Sequence, residues 1–170
     1  MEPLMKFVAG KYVNEDALAN VVRYIYRGSK KMPPNQQIYG ANGLIDPKDP
    51  ELMISQMMMT REIFACTSDP QCKHLVIAFG RKPNLPKKRI RRLMERTMGF
   101  FKHRAQYYWA VHHVREDGRE NYHIHAVIGT VDMLTGKKLN VSNKTWRKFK
   151  KHVKHIWKDV ESIQDIQIDL

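Results

Sequence analysis

The sequence predicts an α+β domain in which helices pack on a mostly antiparallel sheet. Three observations carry this. His74-Leu-Val-Ile-Ala-Phe79 is a continuous apolar run bounded by Lys73 and Gly80, the pattern of a buried strand. Tyr107 to Val114 and Tyr122 to Val131 are two further strand-like stretches, joined by Arg115-Glu-Asp-Gly-Arg119, and Asp-Gly is a hairpin signal. Four other segments repeat apolar residues at helical spacing, so helices have a sheet to cover. The 170 residues match a single domain, residues 1–170, with no internal repeat.

The elements follow in order. Leu4 to Ala9 reads as a short first strand. Asn14 is a candidate N-cap with Glu15 and Asp16 in the first turn, where the helix dipole favours acids. Leu18, Val21, Val22 and Ile25 then share one helical face, and Gly28 is expected to stop the helix. Residues 30–50 carry four prolines and two glycines and read as a long loop. Asp49-Pro50-Glu51 opens a second helix with cap, N1 proline and acidic first turn. Its methionines Met57 to Met59 are expected to pack in the core and at its edge. Lys87 to Arg104 is a basic amphipathic helix with Ile90, Leu93, Met94 and Phe101 on its buried side. After the hairpin, Thr135-Gly136 turns into a short strand near Leu139, and Ser142 caps a last helix. There Trp146, Phe149, Val153, Ile156, Trp157 and Val160 recur at helical spacing, so both tryptophans are read as core.

The charge is unbalanced. Thirty Lys and Arg against seventeen Asp and Glu leave +13, which points to a polyanion: nucleic acid first, an anionic membrane surface second. Ten Lys and Arg with one acid, Glu95, lie between Arg81 and Arg104, and nine with no acid between Lys137 and Lys158. A hydrophobic fraction of 42% excludes a disordered chain. No apolar run approaches the 18 residues of a membrane span, and the N-terminus lacks the apolar core of a signal peptide. Cys66 and Cys72 form neither a disulfide framework nor a CxxC metal motif, and read as reduced thiols of a cytoplasmic protein.

His123-Ile124-His125 is the most informative tripeptide. On a strand, residues two apart share a face, so both imidazoles can reach one metal ion. The preceding strand ends in Ala110-Val111-His112-His113, and antiparallel pairing sets it opposite the His pair. Only one of His112 and His113 can face the same side, and parity alone does not choose. Three imidazoles with open positions make a catalytic type of site, with oxygen ligands from a phosphate and water completing it. His74, His103, His152 and His155 are read as structural or solvated.

At these residues the chain resembles the HUH endonucleases, whose central strand carries His-hydrophobic-His. Within them it resembles the relaxases that mobilise plasmids and conjugative elements. Ala110-Val111-His112 is similar to the segment bearing their third metal histidine, which favours His112 over His113. Asn121-Tyr-His-Ile-His-Ala-Val-Ile128 resembles the wider motif, and Thr135-Gly-Lys-Lys-Leu139 the stretch after it. Val22-Arg-Tyr-Ile-Tyr26-Arg27 resembles the Tyr-Ile segment of mobilisation relaxases, which maps Tyr24 onto the nucleophile, with Tyr26 as fallback. The chain departs from the family pattern at Gly129, where many relatives have Asn, and at His113, where many have Asp.

The resemblance implies a sandwich like that of the HUH endonucleases and a metal, Mn²⁺ or Mg²⁺, on His112, His123 and His125. It further implies nicking and rejoining of single-stranded DNA at an origin of transfer through a 5′-phosphotyrosine. Accessory mobilisation proteins and a coupling protein would be partners, in a bacterial cytoplasm, without membrane insertion. The 170 residues fit the catalytic part of such a protein. Arg81, Lys82, Lys87, Lys88, Arg89, Arg91 and Arg92 in one block, and Lys144, Arg147, Lys148, Lys151 and Lys154 in the other, are expected to flank the DNA path as phosphate contacts. The loop at 30–50 is a candidate clamp on the strand. Two other readings are a basic nucleic-acid-binding module without enzymatic activity and an HUH replication initiator or transposase. The second is disfavoured because no tyrosine follows Tyr122.

Overall fold

Pairing of the central strands organises the molecule, which we describe from a computed structural model covering residues 4–8, 14–81, 86–116 and 119–157. Strands β1 (Leu4–Phe7), β2 (Tyr39–Asn42), β3 (Cys72–Arg81), β4 (Tyr107–Glu116) and β5 (Arg119–Gly129) form one sheet in the order β1-β3-β5-β4-β2. Every neighbouring pair is antiparallel. Strands β6 (Val131–Asp132) and β7 (Lys137–Lys138) make a separate two-stranded ribbon. The sheet is covered on both faces, so this is the expected α+β sandwich.

Alternation along the strands sorts the core into two layers. Leu75, Ile77, Tyr107, Trp109, Val111, Ile124, Ala126 and Ile128 face α3 (Lys87–Met98) and α4 (Asn143–Trp157). Cys72, Tyr108, Ala110 and Val127 face α1 (Ala17–Lys30) and α2 (Pro50–Ile63). The helices are amphipathic as read: α3 buries Ile90, Leu93 and Met94, and α4 buries Phe149, Val153, Ile156 and Trp157. The Trp157 indole N–H donates to Thr97 Oγ1 at 2.9 Å, joining α4 to α3. Trp146 is half-buried against Phe7, ring centroids 4.5 Å apart. Asp49 caps α2 as expected, its carboxylate accepting from the Glu51 and Leu52 amides at 3.0 Å each.

Apart from element ends (the basic helix stops at Met98, and α1 lacks the Asn14 cap and the acidic first turn), two differences in the fold stand out. The stretch at 30–50 is not loop throughout. Pro34–Gln36 forms a 3₁₀ turn and Tyr39–Asn42 adds β2 to the sheet edge, paired with β4. Gly40 conceals this strand, because glycine normally counts against one. It is required here: a Cβ at Gly40 would lie 2.7 Å from the Trp109 indole. The second difference concerns α1, which starts at Ala17 and runs past Gly28 to Lys30, so that glycine is not a helix stop. The expected first-strand residue Ala9, and Val160 of the last helix, lie outside the described residues.

Candidate active site

The β4–β5 register settles what parity left open. His112 lies directly opposite His123, and Ala110 opposite His125. Residues paired across an antiparallel ladder share a face, so His112, His123 and His125 project together toward α1. Val111 and Ile124 project into the other layer, and by the same alternation His113 leaves the cluster. Ring centroids are 4.4 Å apart for His112–His125, 4.8 Å for His123–His125 and 5.9 Å for His112–His123. One nitrogen from each lies within 4.8 Å of the others, so the three can hold one metal ion.

Contacts around the rings assign the proton of His112 and limit His125 to two tautomers. His112 Nε2 sits 2.8 Å from the Ile25 carbonyl of α1. A carbonyl only accepts, so Nε2 carries the hydrogen and the lone pair is on Nδ1. His125 Nδ1 sits 2.8 Å from His74 Nε2 on β3. His125 Nε2 is buried and makes no hydrogen bond. With Nδ1–H donating to His74, the lone pair of His125 falls on that unbonded nitrogen. An unsatisfied buried acceptor costs about 1–3 kcal/mol, and a cation is the partner that recovers it.

Burial keeps these rings neutral. Desolvation lowers His74 and His112 to about 4 and His125 to about 2, and mutual repulsion adds to it for His112 and His125. Metal ligation requires neutral imidazole, so His112 and His125 are in the binding form at neutral pH. Neither the three-histidine cluster nor its His74 support contains a carboxylate, so the donor set is all nitrogen. Such a set suits transition ions such as Zn²⁺, Ni²⁺ or Mn²⁺ better than Mg²⁺.

Helix α1 closes the site. Tyr24 is 51% exposed, and its ring stands edge-on to His112 at 5.4 Å and to His125 at 5.1 Å, centroid to centroid. Tyr26 turns away and packs on the second core cluster, with the Lys30 ammonium 5.1 Å over its ring. Gly28 brings the helix backbone onto His112: a Cβ there would lie 2.1 Å from His112 Cε1.

Asn20, Arg23, Tyr24, Arg27, Gly28 and Lys31 line a groove of about 420 Å³ that ends at His112 and His113. Arg23, Arg27 and Lys31 are four apart and form one cationic stripe beside Tyr24. Arg23 is also clamped to Glu51 of α2, its Nε 2.8 Å from Oε1. The i, i+4, i+8 spacing was a signal for this stripe that lies outside the two dense basic blocks. For His74 the available signal was a histidine opening an otherwise apolar strand.

The two basic blocks lie mainly on α3 and α4. Lys87, Lys88, Arg89, Arg91 and Arg92 are exposed on α3, and Lys144, Arg147, Lys148, Lys151 and Lys154 on α4. Both helices cover the sheet face opposite the histidines, and neither lines the Tyr24 groove. The reason is amphipathicity: each helix turns its apolar stripe to the sheet, so its cations point away from it. Arg81 ends β3, and Lys82 lies outside the described residues. No helix among the described residues is long and apolar enough to cross a membrane.

Comparison with known families agrees with this geometry. Residues 24–161 match the family model of the relaxases, described as MobA/VirD2-like, nuclease domain. That is 138 of 170 residues, from Tyr24 through all three clustered histidines. Among curated proteins none matches the chain. A nuclease-domain match over most of the chain, on a sandwich that gathers three histidines beneath an exposed tyrosine, establishes that the chain belongs to the relaxase family, with the DNA-nicking role in mobilisation that this family carries.

Proposed function

We propose that the chain is an HUH-type relaxase that nicks and rejoins one DNA strand at an origin of transfer, with Tyr24 as nucleophile. The observation that carries this is the approach of the Tyr24 ring to the three-histidine cluster, edge-on at 5.1–5.4 Å. Tyr24 Oη attacks the scissile phosphorus and gives up its proton. The bond from phosphorus to the 3′ oxygen breaks, and that oxygen leaves as a 3′ hydroxyl after taking up a proton. The 5′ phosphoryl stays on Tyr24 as an ester, which conserves the bond for rejoining.

His112, His123 and His125 would hold Mn²⁺ or Mg²⁺, which polarises the phosphate and offsets its developing charge. Arg27 and Lys31 hold phosphates on either side of the scissile one, and Arg23 shares this task while clamped to Glu51. Gly28 and the Ile25 carbonyl fix the His112 ring, and His74 fixes His125. Accessory mobilisation proteins and a coupling protein fit this reading as partners, in the cytoplasm of a bacterial host.

The test uses a labelled single-stranded oligonucleotide from the origin of the chain's own element, with Mn²⁺, on denaturing gels. The expected result is a covalent protein–DNA band, lost in Tyr24→Phe and kept in Tyr26→Phe. The reverse pattern moves the nucleophile to Tyr26. Tight binding with no adduct from any origin-derived strand supports a binding module instead.

A further inference from the structure

We infer that the outer face of α3 and α4 is a second DNA-binding surface, for the double helix, separate from the groove beside Tyr24. The two helices pack against each other and present twelve exposed Lys and Arg with a single acid, Glu95. All twelve are exposed, on helices that cover the sheet face opposite the histidines. Between the helices lies a groove of about 490 Å³, walled by Lys88, Arg89, Arg92 and Arg96 with Leu93 and Ile156 at its floor.

The chemistry of this face selects its partner. Single-strand surfaces combine cations with exposed aromatic rings on which bases stack. No large hydrophobic residue is exposed on α3 or α4 among the described residues. Phe149 and Trp157 are buried, and Trp146 is taken up by Phe7 and Phe149. A membrane surface needs an apolar stripe to insert, and both helices spend theirs on the sheet core.

What remains is a rigid array of cations, which recognises phosphates without reading bases. From Lys144 to Lys154 the array runs about 15 Å along α4. That length of duplex carries about nine phosphate charges, which suits twelve cations and one acid; a single strand offers about half as many. The inference does not depend on Tyr24 chemistry. It gives the protein a hold on the paired DNA beside a strand it opens.

The test measures fluorescence anisotropy with the full chain and two probes: a blunt 20-base-pair duplex and a 20-nucleotide single strand, both of arbitrary sequence, from 50 to 200 mM salt. The variant carries Lys88→Gln, Arg92→Gln, Lys148→Gln and Lys151→Gln together. All four are exposed, so its thermal melt serves as the check on folding. The expected result is at least a tenfold loss of duplex affinity and a log–log salt slope shallower by about 3–4, with single-strand affinity changed less than threefold. Arg27→Gln with Lys31→Gln should do the opposite. Equal losses for both probes in the first variant, or a wild-type chain that does not bind the duplex at 100 mM salt, overturns the inference. Tyr24→Phe should leave duplex binding untouched, so failure of the nicking reading and failure of this one are distinguishable.

Discussion

Replacing Gly28 by alanine sets two effects of known size against each other. Gly28 lies inside α1, and an interior glycine is about 0.8–1.0 kcal/mol worse than alanine in a helix. On backbone grounds alone, Gly28→Ala should stabilise. The added Cβ, however, would stand 2.1 Å from His112 Cε1, 2.3 Å from Nε2 and 2.5 Å from Nδ1. Ordinary contact begins near 3.4 Å, so the ring must retreat by roughly 1.3 Å, the difference between 3.4 and 2.1 Å.

His112 is buried beneath α1 and bonded to the Ile25 carbonyl, so the retreat breaks that bond and moves the ring relative to His125. Overpacking of this kind costs about 1–3 kcal/mol, which equals or exceeds the helix gain. A misplacement of about 1 Å in a reactive site costs on the order of 10²-fold in rate. Stability should therefore stay level or fall by up to about 2 kcal/mol. Mn²⁺ affinity by titration calorimetry should fall at least tenfold, and cleavage of the origin strand about a hundredfold. A Gly28→Ser variant should be at least as impaired. If Gly28→Ala binds Mn²⁺ and cleaves like the wild type, His112 is not held by its contact with α1, and the role given to that helix backbone is wrong.

Two other expectations follow from the same cluster. His74→Leu removes the acceptor for His125 Nδ1–H and should weaken Mn²⁺ binding about 10–100-fold, whereas His74→Gln keeps a side-chain acceptor and should recover much of it. Unchanged calorimetry in the leucine variant excludes a supporting role for His74. Without metal, stability should depend on pH through His74 and His112, held to about 4, and His125, held to about 2. All three lie below the ordinary value of about 6.5, so below that pH the unfolded chain takes up protons that the folded chain refuses. Their contribution is therefore complete above pH 6.5 and is lost as pH falls toward 4, at up to about 1.4 kcal/mol per pH unit for each ring. Urea midpoints measured in chelator at pH 7, 6 and 5 should decline in that order, and a flat profile contradicts the burial of these rings.

Much of this protein is written in local signals. Asp49-Pro50-Glu51 starts α2 because a carboxylate, a ring and an acid act within one turn, and no distant residue needs to agree. The Asp-Gly turn and the alternating strands beside it predict the β4–β5 hairpin for the same reason. That hairpin places His112 or His113 beside His123 and His125, so a histidine cluster able to hold a metal ion was already legible in the sequence.

What remained open depended on contacts between residues far apart in the chain. Whether His112 or His113 joins the cluster is set by ladder register, because a slip of one residue exchanges the faces. Gly40 and Gly28 read as breakers, yet each is where a backbone meets a ring, Trp109 in one case and His112 in the other. His74 supports His125 only because β3 pairs with β5, 51 residues away. The charge of +13 announced a polyanion partner, but its placement followed from which helix covers which face of the sheet. Composition and spacing determined the kind of chemistry this chain carries. Tertiary packing decided which side of the sheet carries it, because only the assembled sheet has two sides.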